Sequence, residues 1–234
     1  GRIDLIGDTA GETLYTKAAF GKIKIGLAAV PADRFKKKHS PSAWKMSDAM
    51  ESWSFGGAEG NKTKVEVYSD AYRAELYLNG KKVGKKKFKN DAIVNFKVKY
   101  EKGTLLAKSF DKEGNLIGQA ELRSADEKTV LKLIPENESI KTKDLAYVKV
   151  RLTDVNGILK PLEKAKISIK VDGGTLLAFG HACPFNKTGY KGTETSTYLG
   201  SALAIIKPDG KGRIKIVCES DKNINAETTI EVKD

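Results

Sequence analysis

The sequence predicts an all-β chain of two β-sandwich domains in tandem, and three observations predict it. Apolar and polar residues alternate over short stretches, the period-2 pattern of half-buried strands. Turn-forming residues separate the stretches: Asn79-Gly80, Gly103, residues 111–115, residues 154–157 and Gly173-Gly174. No long amphipathic helix lies between one stretch and the next, so the helix–strand alternation of a parallel α/β sheet is missing. The 234 residues suit two domains of about 100–150 residues each.

Residues 1–26 read differently from the rest. Ile3, Leu5 and Ile6 form a short apolar stretch. Residues 13–20 then suit one or two helical turns, with Leu14, Ala18 and Tyr15 on one side. Residues 22–30 alternate and become continuously apolar, as a strand does, and Pro31 ends them. Residues 31–61 are polar and irregular and hold both tryptophans, Trp44 and Trp53; a short helix is expected over residues 42–50.

From Lys62 the pattern is plainly β. Val65, Val67, Ala74, Leu76 and Leu78 point one way, and Glu66, Arg73, Glu75 and Tyr77 the other. Asn79-Gly80 follows as a hairpin turn, because both of its residues tolerate positive φ. Ile93 or Val94, then Phe96, Val98 and Tyr100 alternate next, and Gly103 turns that strand into residues 104–110. The turn at residues 111–115 leads to a strand over residues 116–122.

Small and charged residues at 124–128 mark the expected boundary, which gives 1–26 as a remnant or linker, 27–126 as the first sandwich and 127–234 as the second. The second half offers roughly seven strands, including residues 147–152, 199–206, 214–217 and 228–232. Short strands at this spacing with polar turns suit an immunoglobulin-like sandwich, and Asp154-Val155-Asn156-Gly157 with the strands around it resembles invasin-type repeats.

Composition excludes several classes. With 40% hydrophobic residues the chain is too apolar for a disordered protein. No apolar run approaches the roughly 20 residues of a membrane span. The net charge is +12, with much of the excess in Lys36, Lys37, Lys38 and the lysines of residues 81–89. Lysines crowded around a hairpin block edge-to-edge pairing. Arginine is scarce and no aromatic-plus-Arg pattern suits base stacking, so no nucleic-acid partner is expected. The chain opens at Gly1 without a charged-then-apolar leader, and is read as a piece of a longer protein. Cys183 and Cys218 are expected as two free thiols, although one disulfide is open to them if their Cα atoms lie within about 7 Å.

No catalytic constellation, metal site or cofactor is expected. The two histidines, His39 and His181, lack the converging partners that a zinc site needs. His181 and Cys183 sit close together in a Gly/Pro/Asn-rich loop, read as an ordinary loop rather than as a nucleophile and base. Gly57 to Thr63 has the wrong spacing for a phosphate loop and precedes a strand instead of a helix. Glycosidase chemistry needs two carboxyl groups about 5–9.5 Å apart in a cleft. None of the 30 acids suggests such a pair, and most are expected to be solvated. Trp44 and Trp53 are the candidate carbohydrate contacts, the alternative being that one or both plug the end of the first sandwich.

Three segments together resemble the C-terminal part of a glycoside hydrolase family 2 enzyme of the β-galactosidase-like kind. Gly1-Arg2-Ile3-Asp4-Leu5-Ile6-Gly7 with Tyr15 resembles the stretch that closes that family's catalytic barrel. Residues 60–84, with Val65-Glu66-Val67-Tyr68-Ser69-Asp70 and Ala74-Glu75-Leu76-Tyr77-Leu78-Asn79-Gly80, are similar to its domain-four pattern. Asp144-Leu145-Ala146-Tyr147-Val148, Thr153-Asp154-Val155-Asn156-Gly157 and Tyr198-Leu199-Gly200-Ser201-Ala202-Leu203-Ala204 look like the domain that follows. Phe179-Gly180-His181-Ala182-Cys183-Pro184 stands where the family has a Gly-x-Asn-Gly-Asp-Pro-like turn.

The resemblance implies a parent that cleaves β-linked galactose or a similar sugar by the retaining two-glutamate route, with both glutamates in the barrel and none in this chain. The expected function is therefore a non-catalytic C-terminal region that braces the barrel. Expected partners are that barrel, carbohydrate and a second copy of the chain, in a bacterial periplasmic or extracellular setting. The alternatives are adhesin repeats or a carbohydrate-binding module.

Overall fold

The period-2 pattern is realised strand by strand in the computed structural model, which describes residues 3–34 and 47–234. The chain divides into two units, Gly1–Ser124 and Ala125–Asp234.

The first unit runs through α1 (Glu12–Ala19), β1 (Gly26–Ala29), β2 (Lys62–Tyr68), β3 (Arg73–Leu78), β4 (Lys81–Lys87), β5 (Ile93–Lys99), β6 (Thr104–Phe110) and β7 (Leu116–Arg123). Two antiparallel sheets result, in the orders β1-β2-β5 and β4-β3-β6-β7. Val65, Val67 and Phe96 from one sheet and Ala74, Leu76, Leu105 and Ala107 from the other are buried, the alternate positions that the sequence assigns to a core.

The other face of the β1-β2-β5 sheet is covered too. Leu14 and Ala18 of α1 pack with Ala28, Val30, Ala49 and Tyr68. Gly26 permits this close approach, since a Cβ there would sit 2.9 Å from Leu14 Cβ. Tyr15, expected on the same side, is exposed instead. The helix expected over residues 42–50 is absent from its described part. Ser47 to Ala49 are irregular, and Met50 bridges Ala29, exchanging main-chain hydrogen bonds of 2.9 and 3.0 Å with it. That edge of β1 takes up the backbone groups that a helix would have paired internally.

At the β3–β4 hairpin, Asn79 and Gly80 both hold positive φ, 50° and 76°. Asn79 Oδ1 accepts from the Thr104 N–H at 2.8 Å, and its Nδ2 donates to the Lys102 carbonyl at 3.0 Å. The hairpin is thereby tied to the neighbouring turn, where Gly103 has φ +129° and leaves no space for a Cβ beside Asn79.

The second unit contains β8 (Val130–Pro135), β9 (Ser139–Lys141), β10 (Ala146–Thr153), β11 (Lys166–Asp172), β12 (Gly174–Gly180), β13 (Glu194–Ser196), β14 (Ser201–Pro208), β15 (Gly212–Ser220) and β16 (Asn225–Lys233). Its sheets are ordered β12-β14-β10-β8 and β13-β11-β15-β16-β9, with β9 parallel to β16. Val148, Val150, Leu152, Ala204 and Ile206 of one sheet meet Ile167, Ile169, Ile214 and Ile216 of the other in a single core. There are nine strands against the roughly seven expected. β9 and β13, three residues each, are too short to show a period, and the alternation of β12 is broken by a bulge between Leu176 and Ala178. The strand expected from Leu199 starts at Ser201, because Leu199 and Gly200 form a turn with φ of 52° and 72°. Both cysteines are free, and burial pushes the Cys218 thiol up to about 12.

Candidate functional site

The two tryptophans part company. Trp53 is fully buried, edge-on to Phe55 and Tyr100 with ring centroids 6.1 and 5.0 Å away, and its Nε1 donates to the Glu101 carbonyl at 3.0 Å. The carbohydrate-contact expectation is corrected for Trp53: with no ring face open, it is a packing residue. Trp44, like His39 and the lysines at 36–38, lies outside the described residues. Gly57 and Gly60 form turns of positive φ that lead into β2, so no helix N-terminus follows them.

Three acids expected to be solvated are buried. Glu66 is fully enclosed, because the outward face of β2 lies under α1 and residues 47–50. Its Oε1 accepts from Ser47 Oγ at 2.7 Å and pairs with Lys64 Nζ at 2.6 Å, while Oε2 accepts from the Tyr68 hydroxyl. Ser47 also donates its N–H to Glu12 Oε1 at 2.6 Å. Burial, and then the Glu66 charge, push the Tyr68 hydroxyl well above its ordinary value. These two carboxylates converge on one serine rather than facing each other across a cleft.

Glu75, on the outer face of the β4-β3-β6-β7 sheet, is held down to about 2 by hydrogen bonds from Lys82 and Tyr77, at 2.9 and 2.6 Å, with Arg73 adding an ion pair. The cations around it lie over aromatic rings: Arg73 4.1 Å from the Phe110 centroid, and Lys82 and Lys108 5.9 and 5.5 Å from that of Tyr77. Asp154 is buried at the turn after β10. Burial opposes its ionisation, but N–H groups of Asp126 and Ile158, at 2.9 and 2.8 Å, outweigh it and lower its pKa. All three acids are engaged in holding strands and turns. Among the described residues no group of three or more His, Cys, Asp or Glu is placed to hold a metal ion.

Among the concavities of the second unit, one of about 360 Å³ gathers chemically varied side chains: His181, Phe185, Lys166, Ser196, Tyr198 and Asp221. His181 is buried, its Nδ1 accepting from the Cys183 N–H at 3.2 Å, and burial lowers its pKa. Its ring lies 6.1 Å from that of Tyr198. Cys183 is thus linked to His181 through its backbone. In sequence this loop reads as ordinary; the structure leaves its Phe185, a large apolar residue, exposed.

Fold and side chains together define an all-β protein of β-sandwich construction. Residues 131–229 match the family model described as glycoside hydrolase family 2 C-terminal domain 5, and residues 60–118 one described as a domain of unknown function (DUF4982). A glycosyl hydrolase family 2 member from Bacteroides cellulosilyticus is similar over 100% of this chain and 32% of its own, at 26% identity and a TM-score of 0.87. A β-glycosidase from Bacteroides vulgatus shares the fold over 99% of this chain and 28% of its own, at 20% identity and a TM-score of 0.77. A β-glucuronidase from glycoside hydrolase family 2 shares it over 78% and 19%, at 21% identity and a TM-score of 0.67. No curated protein matches the sequence. Residues 131–229 thus match a C-terminal domain of glycoside hydrolase family 2, and the chain spans about a third of the first of these solved structures.

Proposed function

We propose that this chain is the non-catalytic C-terminal region of a family 2 glycosidase and that it braces the catalytic barrel of its parent. The observation that carries the reading is the match of residues 131–229 to a C-terminal domain of that family, in a chain similar over its whole length to about a third of a family member. The parent hydrolyses O-glycosyl bonds, of β-linked galactose on the sequence resemblance, with its two glutamates in the barrel. The burial of Glu66, Glu75 and Asp154 in structural networks supports a bracing rather than a bond-breaking role for these residues.

The first unit carries a candidate contact surface. Ile3, Leu5, Tyr15 and Phe20 are exposed on its N-terminal segment, while Leu14 and Ala18 of the same segment are buried beneath it. Exposed large apolar groups recurring along one segment suit a surface that another domain covers. In the intact parent, Leu5→Asp with Phe20→Ser is expected to lower the melting temperature of the barrel. An unchanged barrel transition would remove the bracing role.

A further inference from the structure

We propose that the concavity between the β12–β13 loop and the start of β11 binds one pyranose unit of a glycan. The inference stands on the second unit's own side chains and is independent of the bracing role.

The volume, about 360 Å³, lies at the lower end of the range for small-molecule sites. Its wall includes Phe185, which is 87% exposed, so folding alone does not account for this ring. The loop that presents it is anchored on both sides. Asn186 Oδ1 accepts from the Thr188 N–H and hydroxyl at 3.1 and 2.8 Å, and its Nδ2 donates to the Gly189 carbonyl at 2.9 Å. Further on, Tyr190 lies flush against Gly180, where a Cβ would come within 2.3 Å of the Tyr190 ring, and its carbonyl accepts from the Phe179 N–H at 2.7 Å.

The polar groups have mixed character. Because Nδ1 of His181 is an acceptor, the neutral ring carries its proton on Nε2 and offers a donor to the pocket it lines. The Lys166 N–H donates to Asp221 Oδ1 at 3.1 Å and fixes that carboxylate, leaving Oδ2 as an acceptor. Lys164, Lys166, Ser196 and Thr197 line the same concavity.

Sugar hydroxyls both donate and accept, so they need such a mixture, whereas an inorganic anion needs donors alone. A pyranose also has an apolar face of C–H groups, whose partial positive charge suits the negative face of an aromatic ring. Phe185 and Tyr198 supply such rings beside the donors and acceptors. An apolar ligand would desolvate the remaining donors and acceptors of His181, Lys166 and Asp221 without replacing their water, at a cost.

The test is a ¹H–¹⁵N NMR titration of the whole chain with methyl β-galactoside, methyl β-glucoside and glucuronic acid in separate arms. Shifts at residues 181–185 and 196–198 are expected in at least one arm, with a dissociation constant on the order of 1 mM. Phe185→Ala, at an exposed position that the fold does not need, is expected to weaken binding about tenfold, and Phe185→Tyr to restore it. Trp53→Phe is expected to leave the affinity unchanged. Absence of shifts in all three arms up to about 50 times that constant, shifts confined to the first unit, or equal affinity in Phe185→Ala would each overturn the proposal.

Discussion

Glu66 shows how a residue read correctly for direction can be misread for environment. The alternation of β2 sends it away from the core shared with the second sheet, and there it points. That face is nevertheless dry, because α1 and residues 47–50 lie on it. The clue was the unbroken apolar run at Leu27, Ala28, Ala29 and Val30, which demands cover on both faces of β1. Replacing Glu66 by Ala leaves the Ser47 and Tyr68 hydroxyls without their acceptor, and is expected to cost about 3 kcal/mol in a urea denaturation. Glu66→Gln keeps one acceptor oxygen and should cost less. Trp53→Ala removes a fully buried indole and is expected to cost about 3–5 kcal/mol in the same measurement, since its wall of Phe55 and Tyr100 cannot fill the space.

Glu75 makes a pH prediction. Its carboxyl is lowered from an ordinary value of 4.5 to about 2, so below pH 4.5 the unfolded chain takes up a proton that the native state resists. The stability it contributes is complete above that value and is lost as the pH falls toward 2. Glu75→Gln should flatten this acid limb when urea midpoints are compared between about pH 6 and pH 2. An acid limb as steep in the variant as in the parent sequence would assign the loss to other carboxylates.

At the scale of elements, the best-read features were those with local chemical causes. Asn79-Gly80 announced its hairpin because few residues accept positive φ, and apolar and polar residues alternate along the sequence of β3 before it. Sequence was silent where the cause is tertiary. β9 runs parallel to β16, a pairing that joins residues far apart in the chain and leaves no local mark. The lysines of β4 acquire their meaning from its edge position: Lys86 reaches the Asn95 carbonyl and the Phe96 ring, and Lys82, Lys85 and Lys87 register against Tyr77, Glu75 and Arg73. Replacing Lys81, Lys85 and Lys87 by Thr is expected to produce concentration-dependent self-association in sedimentation velocity, because an uncharged edge presents unpaired backbone groups. At the adjoining turn, Gly103→Ala is expected to lower the melting temperature, with Asn79 displaced from its bonds to Lys102 and Thr104.

For the whole molecule, the all-β class follows from patterns repeated along the entire chain, which is why it was legible. The pocket was not, since His181 and Phe185 of the β12–β13 loop meet Ser196 of β13 and Asp221 beyond β15 only after folding. The resemblance carried by residues 144–204 falls within the stretch that matches a glycoside hydrolase family 2 C-terminal domain, because turn and strand residues keep their spacing there. The central claim is that this chain supports glycoside cleavage without performing it. The most direct measurement is release of nitrophenol from nitrophenyl β-galactoside and β-glucuronide by the purified chain, beside the intact parent enzyme under the same conditions. The account predicts turnover by the parent on its own substrate and none by the chain; release by the chain alone, abolished by replacing one of its own carboxylates, would contradict it.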